Sequence, residues 1–177
     1  MKRTVRKNCF ETNSSSIHAI VVNPSAELMI PRNNVIEFTL GAFGWELTQY
    51  TTIEDRASYL WTTILTMYEE FRDLDDVQYR TKDTLEWVDY ITEVLDRNDI
   101  EAEFKWPEKP DLYRFYVDHV DWLDKWLDDL KNDKALLLAF LLGSDSEIRT
   151  GNDNVTDDRR VNTEPPESTW YSYVKAN

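Results

Sequence analysis

Residues 17–22 carry the first regular pattern in the chain, with Ile17, Ala19 and Val21 at one parity and His18, Ile20 and Val22 at the other. β-branched residues and apolar positions at both parities predict a strand covered on both faces. The run before it, Asn13, Ser14, Ser15 and Ser16, has short side chains that bond to nearby backbone and favour a turn. Residues 35–40 repeat the strand signal, with Ile36, Phe38 and Leu40 expected to face the core and Val35, Glu37 and Thr39 opposed to them. Between the two lies a connection marked by Pro24, Pro31 and Asn33-Asn34, and after them a two-glycine turn, 41–45, in which Phe43 and Trp45 cap the core.

Helical periodicity begins at 53. Ala57, Leu60, Trp61, Ile64, Leu65, Tyr68 and Phe71 fall on one stripe, which predicts a helix over 53–74 with Thr52 and Asp55 as its capping pair. A second helix is predicted over 82–96, capped by Thr81, with Leu85, Val88, Ile91 and Leu95 inward and Trp87 and Tyr90 on its flanks. Strict alternation over 100–106 predicts an amphipathic strand, and 112–117 is expected to return as its antiparallel partner after a two-proline turn. One helix over 110–130 fits the same apolar residues. Either way 121–131 reads as helical. The run 135–142, ALLLAFLL, is a buried element whose type periodicity does not decide. Residues 144–150 suggest a short strand, 151–158 a polar loop, and 159–177 an irregular segment whose aromatic end, Trp170, Tyr171 and Tyr173, docks on the rest. The expected fold is a single α+β domain over 1–177, a small antiparallel sheet with two to four helices on one face.

Composition supports a folded chain of ordinary domain size: 41% of residues are apolar, 13% aromatic, and only 4 are glycine. The one cysteine, Cys9, excludes an internal disulfide, and 1–8 holds no apolar core of a signal peptide, so the chain reads as cytoplasmic, in a bacterial host. No apolar run approaches the length of a membrane span.

Charge changes the picture most. Against 20 basic residues stand 34 acidic ones, a net of -14, although Lys2, Arg3, Arg6 and Lys7 make the start basic. Between residues 53 and 130 there are 22 acidic and 9 basic residues, so the excess is concentrated on the predicted helices and hairpin. Such a surface repels nucleic acid and anionic membranes and attracts a basic partner. Asp83, Glu86, Asp89 and Glu93 recur at three-to-four spacing, as do Asp118, Asp121, Asp124 and Asp128, which places carboxylates in rows along helices. Carboxylates one turn apart stand about 5–6 Å from each other, comparable with phosphates along a strand, so a rigid scaffold of this kind can mimic nucleic acid in a partner's groove.

Candidate chemistry is sparse. With Cys9, His18 and His119 as the only nitrogen or sulfur ligands, zinc is excluded, and Asp145, Glu147, Asp153, Asp157 and Asp158 do not follow a calcium-loop pattern, so no metal or cofactor is expected. Ser16 and His18 share one side of the first strand, which permits a nucleophile and base oriented by Asp118 or Asp145. The same residues serve equally as a buried histidine bonded to hydroxyls. No phosphate loop, dinucleotide fingerprint or nucleophile elbow is present.

The run Phe10-Glu11-Thr12-Asn13-Ser14-Ser15-Ser16 with His18 resembles the FETNSSSxH signature of a family of small, largely uncharacterised proteins from bacteriophages and Firmicutes. The stretches Tyr116-Val117-Asp118-His119 and Gly143-Ser144-Asp145-Ser146-Glu147-Ile148, continuing to Gly151-Asn152-Asp153-Asn154, are similar to that family's C-terminal half. The resemblance implies a phage connection and carries no activity. Together with the acidic rows it leads to the expectation of a non-enzymatic protein that binds and inhibits a basic, nucleic-acid-handling host or defence protein, such as a nuclease complex, in the manner of an anti-CRISPR or anti-restriction protein. The alternative is a small enzyme or ligand-binding domain around Asn13, Ser16 and His18, joined by Asp118 and His119 or by Asp145 and Asp153.

Overall fold

The computed structural model of the chain describes residues 16–44, 48–68, 70–73, 76–107, 115–118, 123–152 and 171–176. The first predicted strand forms as β1 (Ser16–Val22). It lies inside an antiparallel sheet of order β10-β1-β9-β4, where β4 is Thr48–Tyr50, β9 is Glu147–Asn152 and β10 is Tyr171–Ala176. Both edges of β1 are therefore paired, with Ile20 opposite Ile148 on one side and Tyr173 on the other. His18, Ile20 and Val22 are buried, and so is Ala19 of the opposite parity, which is why β1 reads as apolar throughout. The segment expected to be irregular thus supplies a sheet strand at 171–176.

The remaining strands form three two-stranded pieces. β2 (Val35–Phe38) pairs in parallel with β7 (Glu101–Phe104), and β3 (Ala42–Phe43) pairs in parallel with β8 (Tyr116–Val117). β5 (Glu70–Asp73) and β6 (Asp76–Gln78) make a short antiparallel hairpin. The expected hairpin of 100–106 with 112–117 is therefore overturned. The alternation of β7 is real, but its partner is β2, and β8 turns instead to β3. Two helices intervene between β2 and β7, as a parallel pairing requires. The single helix over 110–130 is overturned as well, since Tyr116 and Val117 are extended.

Helix α1 (Ile53–Met67) starts at Thr52, whose hydroxyl accepts from Asp55 N at 3.1 Å. It stops short of 74, and Phe71 lies in β5 rather than on its stripe. Helix α2 (Lys82–Asp96) keeps its predicted bounds and its Thr81 cap. Its buried face is turned from the expected one: Trp87, Ile91, Val94 and Leu95 are buried, whereas Leu85 is 45% exposed. An indole buries more apolar area than a leucine, so Trp87 takes the inward position.

Helices α3 (Asp124–Asn132) and α4 (Lys134–Leu142) meet at Asp133, whose carboxylate accepts from Ala135 N and Leu136 N. The ambiguous apolar run is thus a helix, buried at Leu136, Leu137 and 139–142. Arg56, inside α1 and fully buried, clamps the end of α4. Its Nε and Nη2 donate to Leu141 O at 3.2 and 2.8 Å, and Nη1 donates to Thr51 O at 2.8 Å and to Ser146 O. One core runs from β1 through α1 to α4, with Trp61, Trp87 and Trp126 among its largest side chains. The fold is α+β.

Candidate functional site

His18 points from the buried face of β1 into α1, where its Nδ1 stands 2.9 Å from the Tyr59 hydroxyl. Across the sheet His18 is in register with Thr150 of β9, and Thr150 with Thr48 of β4, so one row of the sheet is polar beneath the helix. Tyr59 is fully buried among Phe43 and Trp126, whose rings meet it edge-on. Burial, with Tyr50 nearby as a lesser cause, pushes the Tyr59 phenol well above its ordinary value, so it stays neutral and able to donate.

Gly44 closes this cluster on the other side. A Cβ there would lie 2.5 Å from the Asp118 Cβ and 3.2 Å from His18 Nε2, and its φ of +123° is one that side-chain-bearing residues rarely adopt. The pairing of β3 with β8 sets this geometry, because Asp118 N donates to Phe43 O at 2.9 Å. His18 and Asp118, 100 residues apart in sequence, are thus brought to the same glycine.

Asp145 goes elsewhere. It accepts from Asn23 Nδ2 at 3.4 Å and from the Ser144 hydroxyl at 3.2 Å. Asn23 lies five residues past His18 along an extended chain, a separation of about 17 Å. Asn13, His119 and Asp153 lie outside the described residues, and Ser16 enters only as the first residue of β1. Two members of the cluster, Tyr59 and Gly44, were not singled out from the sequence. Tyr59 lies beside the α1 stripe and Gly44 in a turn, and neither position carries a chemical signature of its own.

The predicted acidic rows occupy a different part of the molecule. Asp83, Glu86, Asp89 and Glu93 are all exposed along α2, as are Asp124 and Asp128 along α3. Asp118 is half-buried at Gly44 and stands apart from the helical row, and Asp121 lies outside the described residues. The Tyr90 hydroxyl donates to Leu130 O at 2.8 Å and ties the two helices together. Cations from α3 and α4 reach across this seam. Lys131 Nζ is 3.3 Å from Glu86, which Lys82 also approaches at 3.5 Å, and Lys134 Nζ is 2.8 Å from Glu93, which Arg97 also contacts.

These contacts lower the carboxyl pKa values of both glutamates, through the hydrogen bonds from Lys131 and from Lys134 first. Asp83 and Asp89 take part in no ion pair among the described residues, nor does Asp128. Among the described residues Asp124 accepts only from its neighbour Lys125 N, at 2.6 Å. The acidic face is therefore divided, with Glu86 and Glu93 answered internally and Asp83, Asp89, Asp124 and Asp128 open to solvent.

No group of three or more metal-ligating side chains occurs among the described residues, and no helix of theirs is long and apolar enough to cross a membrane. No family model, curated protein or solved structure matches the chain.

Proposed function

We propose that the chain is a non-enzymatic interaction protein whose acidic face on α2 and α3 binds a basic, nucleic-acid-handling protein of a bacterial host or its defences and blocks it. Anti-CRISPR or anti-restriction inhibition, by occupying a groove made for nucleic acid, is the concrete form. One observation carries this reading: Asp83, Asp89, Asp124 and Asp128 stand exposed on two helices fixed to each other by the Tyr90–Leu130 bond. A net charge of -14 steers a cationic partner towards such a face and keeps free nucleic acid away. The phage resemblance supports the inhibitory form.

The His18 cluster favours a structural role over a catalytic one. The buried phenol pairs with Nδ1 of the buried imidazole without substrate, and Asp145 is held at the far end of β1. The test is capture from bacterial lysate with tagged protein at low and high salt, with the bound proteins identified by mass spectrometry. The reading expects basic nucleic-acid-binding proteins at low salt, lost at high salt and lost when Asp83, Asp89, Asp124 and Asp128 are all changed to Asn. Equal capture by that folded variant would refute it.

A further inference from the structure

The outer edge of β1 carries a property independent of the acidic face. Its residues 17–22, IHAIVV, contain no Asp, Glu, Lys or Arg, no proline and no glycine. A bare edge of this composition is a template for another strand. In the fold that edge is covered along six register pairs, from Ile17 opposite Ala176 to Val22 opposite Tyr171. β10, the strand that covers it, is an edge strand and packs substantially on β1 alone among the described helices and strands. β9 and β10 lie on opposite sides of β1, yet 18 residues, 153–170, connect them. A connection of that length can extend to about 60 Å, well beyond the two strand spacings it has to bridge.

We propose that β10 exchanges between copies of this chain, so that the edge of β1 is a self-association site that accepts β10 of a second copy. Among the described residues every ladder partner of β10 lies on β1, and a second copy presents the same strand. Exchange therefore preserves the whole ladder, and the opposing cost is that of bringing two chains together, which concentration offsets. A long connection also lowers the effective concentration at which the chain's own β10 competes for the site.

Cysteines placed at one register pair test this in full-length protein carrying Cys9→Ser. Val21 and Ser172 are directly opposed, and opposed residues in an antiparallel ladder lie within disulfide reach. Two chains of different mass, one with Val21→Cys and the other with Ser172→Cys, are mixed, partially unfolded in urea, returned to buffer and oxidised. A third chain carries both substitutions.

Exchange predicts a linked heterodimer whose ratio to monomer roughly doubles when total protein is doubled at low conversion. The double-cysteine chain, oxidised before mixing, should close on itself and form no dimer. If the double variant closes within one chain while the mixture yields no heterodimer at any concentration, the strand is fixed and the proposal is wrong. Failure of the double variant to close would also overturn it, since β10 would then not lie on β1.

Discussion

The Tyr59 hydroxyl stands 2.9 Å from His18 Nδ1, and both side chains are buried between β1 and α1. Each is the partner that makes the other's burial tolerable. Tyr59→Phe should lower the free energy of unfolding by about 1–3 kcal/mol, because it leaves a buried imidazole nitrogen without its hydroxyl partner. With His18→Leu already in place, the same change should cost clearly less, a coupling of about 0.5–3 kcal/mol. Urea denaturation of the four proteins measures it, and strictly additive losses would show that the contact is incidental.

Gly44 joins this pair to Asp118. Gly44→Ala meets both the positive φ and the Asp118 Cβ at 2.5 Å. A loss of about 2–4 kcal/mol is expected. Adding Asp118→Gly removes the closest clash and leaves the backbone part and the tight His18 contact, so the double variant should recover some but not all of the stability. Full recovery in the denaturation midpoint would mean that the backbone conformation costs nothing.

Arg56 holds the carbonyls of Leu141, Thr51 and Ser146, with no carboxylate among its hydrogen-bond partners in the described residues. Burial lowers its pKa to about 10, against the opposing pull of Asp55 and Glu54, so it remains charged at neutral pH. The negative end of α4 offsets part of that buried charge. Arg56→Met should destabilise by about 3 kcal/mol, because it strands several buried acceptors. A variant as stable as the parent would mean that water replaces the guanidinium.

Glu86 and Glu93 give the molecule an acid-sensitive seam. Their folded pKa values lie below the ordinary carboxyl value because Lys131 and Lys134 bond to them. Groups depressed in this way add stability above their unfolded pKa of about 4.3 and lose it as pH falls through the folded value. The Glu86→Gln, Glu93→Gln variant should therefore show a flatter fall in melting temperature below about pH 5 than the parent does. Coincident acid limbs would show that these ion pairs contribute nothing in solution.

Several elements were legible in the sequence because their signals are local. β1, the Thr52 and Thr81 caps and the bounds of α2 follow from side chains within a few residues of each other. The pairings of β2 with β7 and β3 with β8 were not legible, because nothing in alternation names a partner more than 60 residues away. Proximity in sequence favoured a hairpin that the fold does not make. The α2 stripe misplaced Leu85 because equal weight per apolar residue ignores the larger area of Trp87. The acidic rows were visible as spacing, but Lys131 and Lys134 come from other helices, so their answering of Glu86 and Glu93 appears only in three dimensions. His18 and Asp118 were named as candidates, while the glycine and tyrosine that explain their placement carried no signal.

The most direct test of the acidic-face reading is displacement of nucleic acid from a captured basic partner, followed by fluorescence anisotropy of labelled duplex DNA at low salt. The account predicts that the protein releases the DNA. It predicts further that the Asp83→Asn, Asp89→Asn, Asp124→Asn, Asp128→Asn variant, with an unchanged melting temperature, needs at least about tenfold more protein to do so. Equal displacement by the variant, or DNA that stays bound beside the protein, would contradict it.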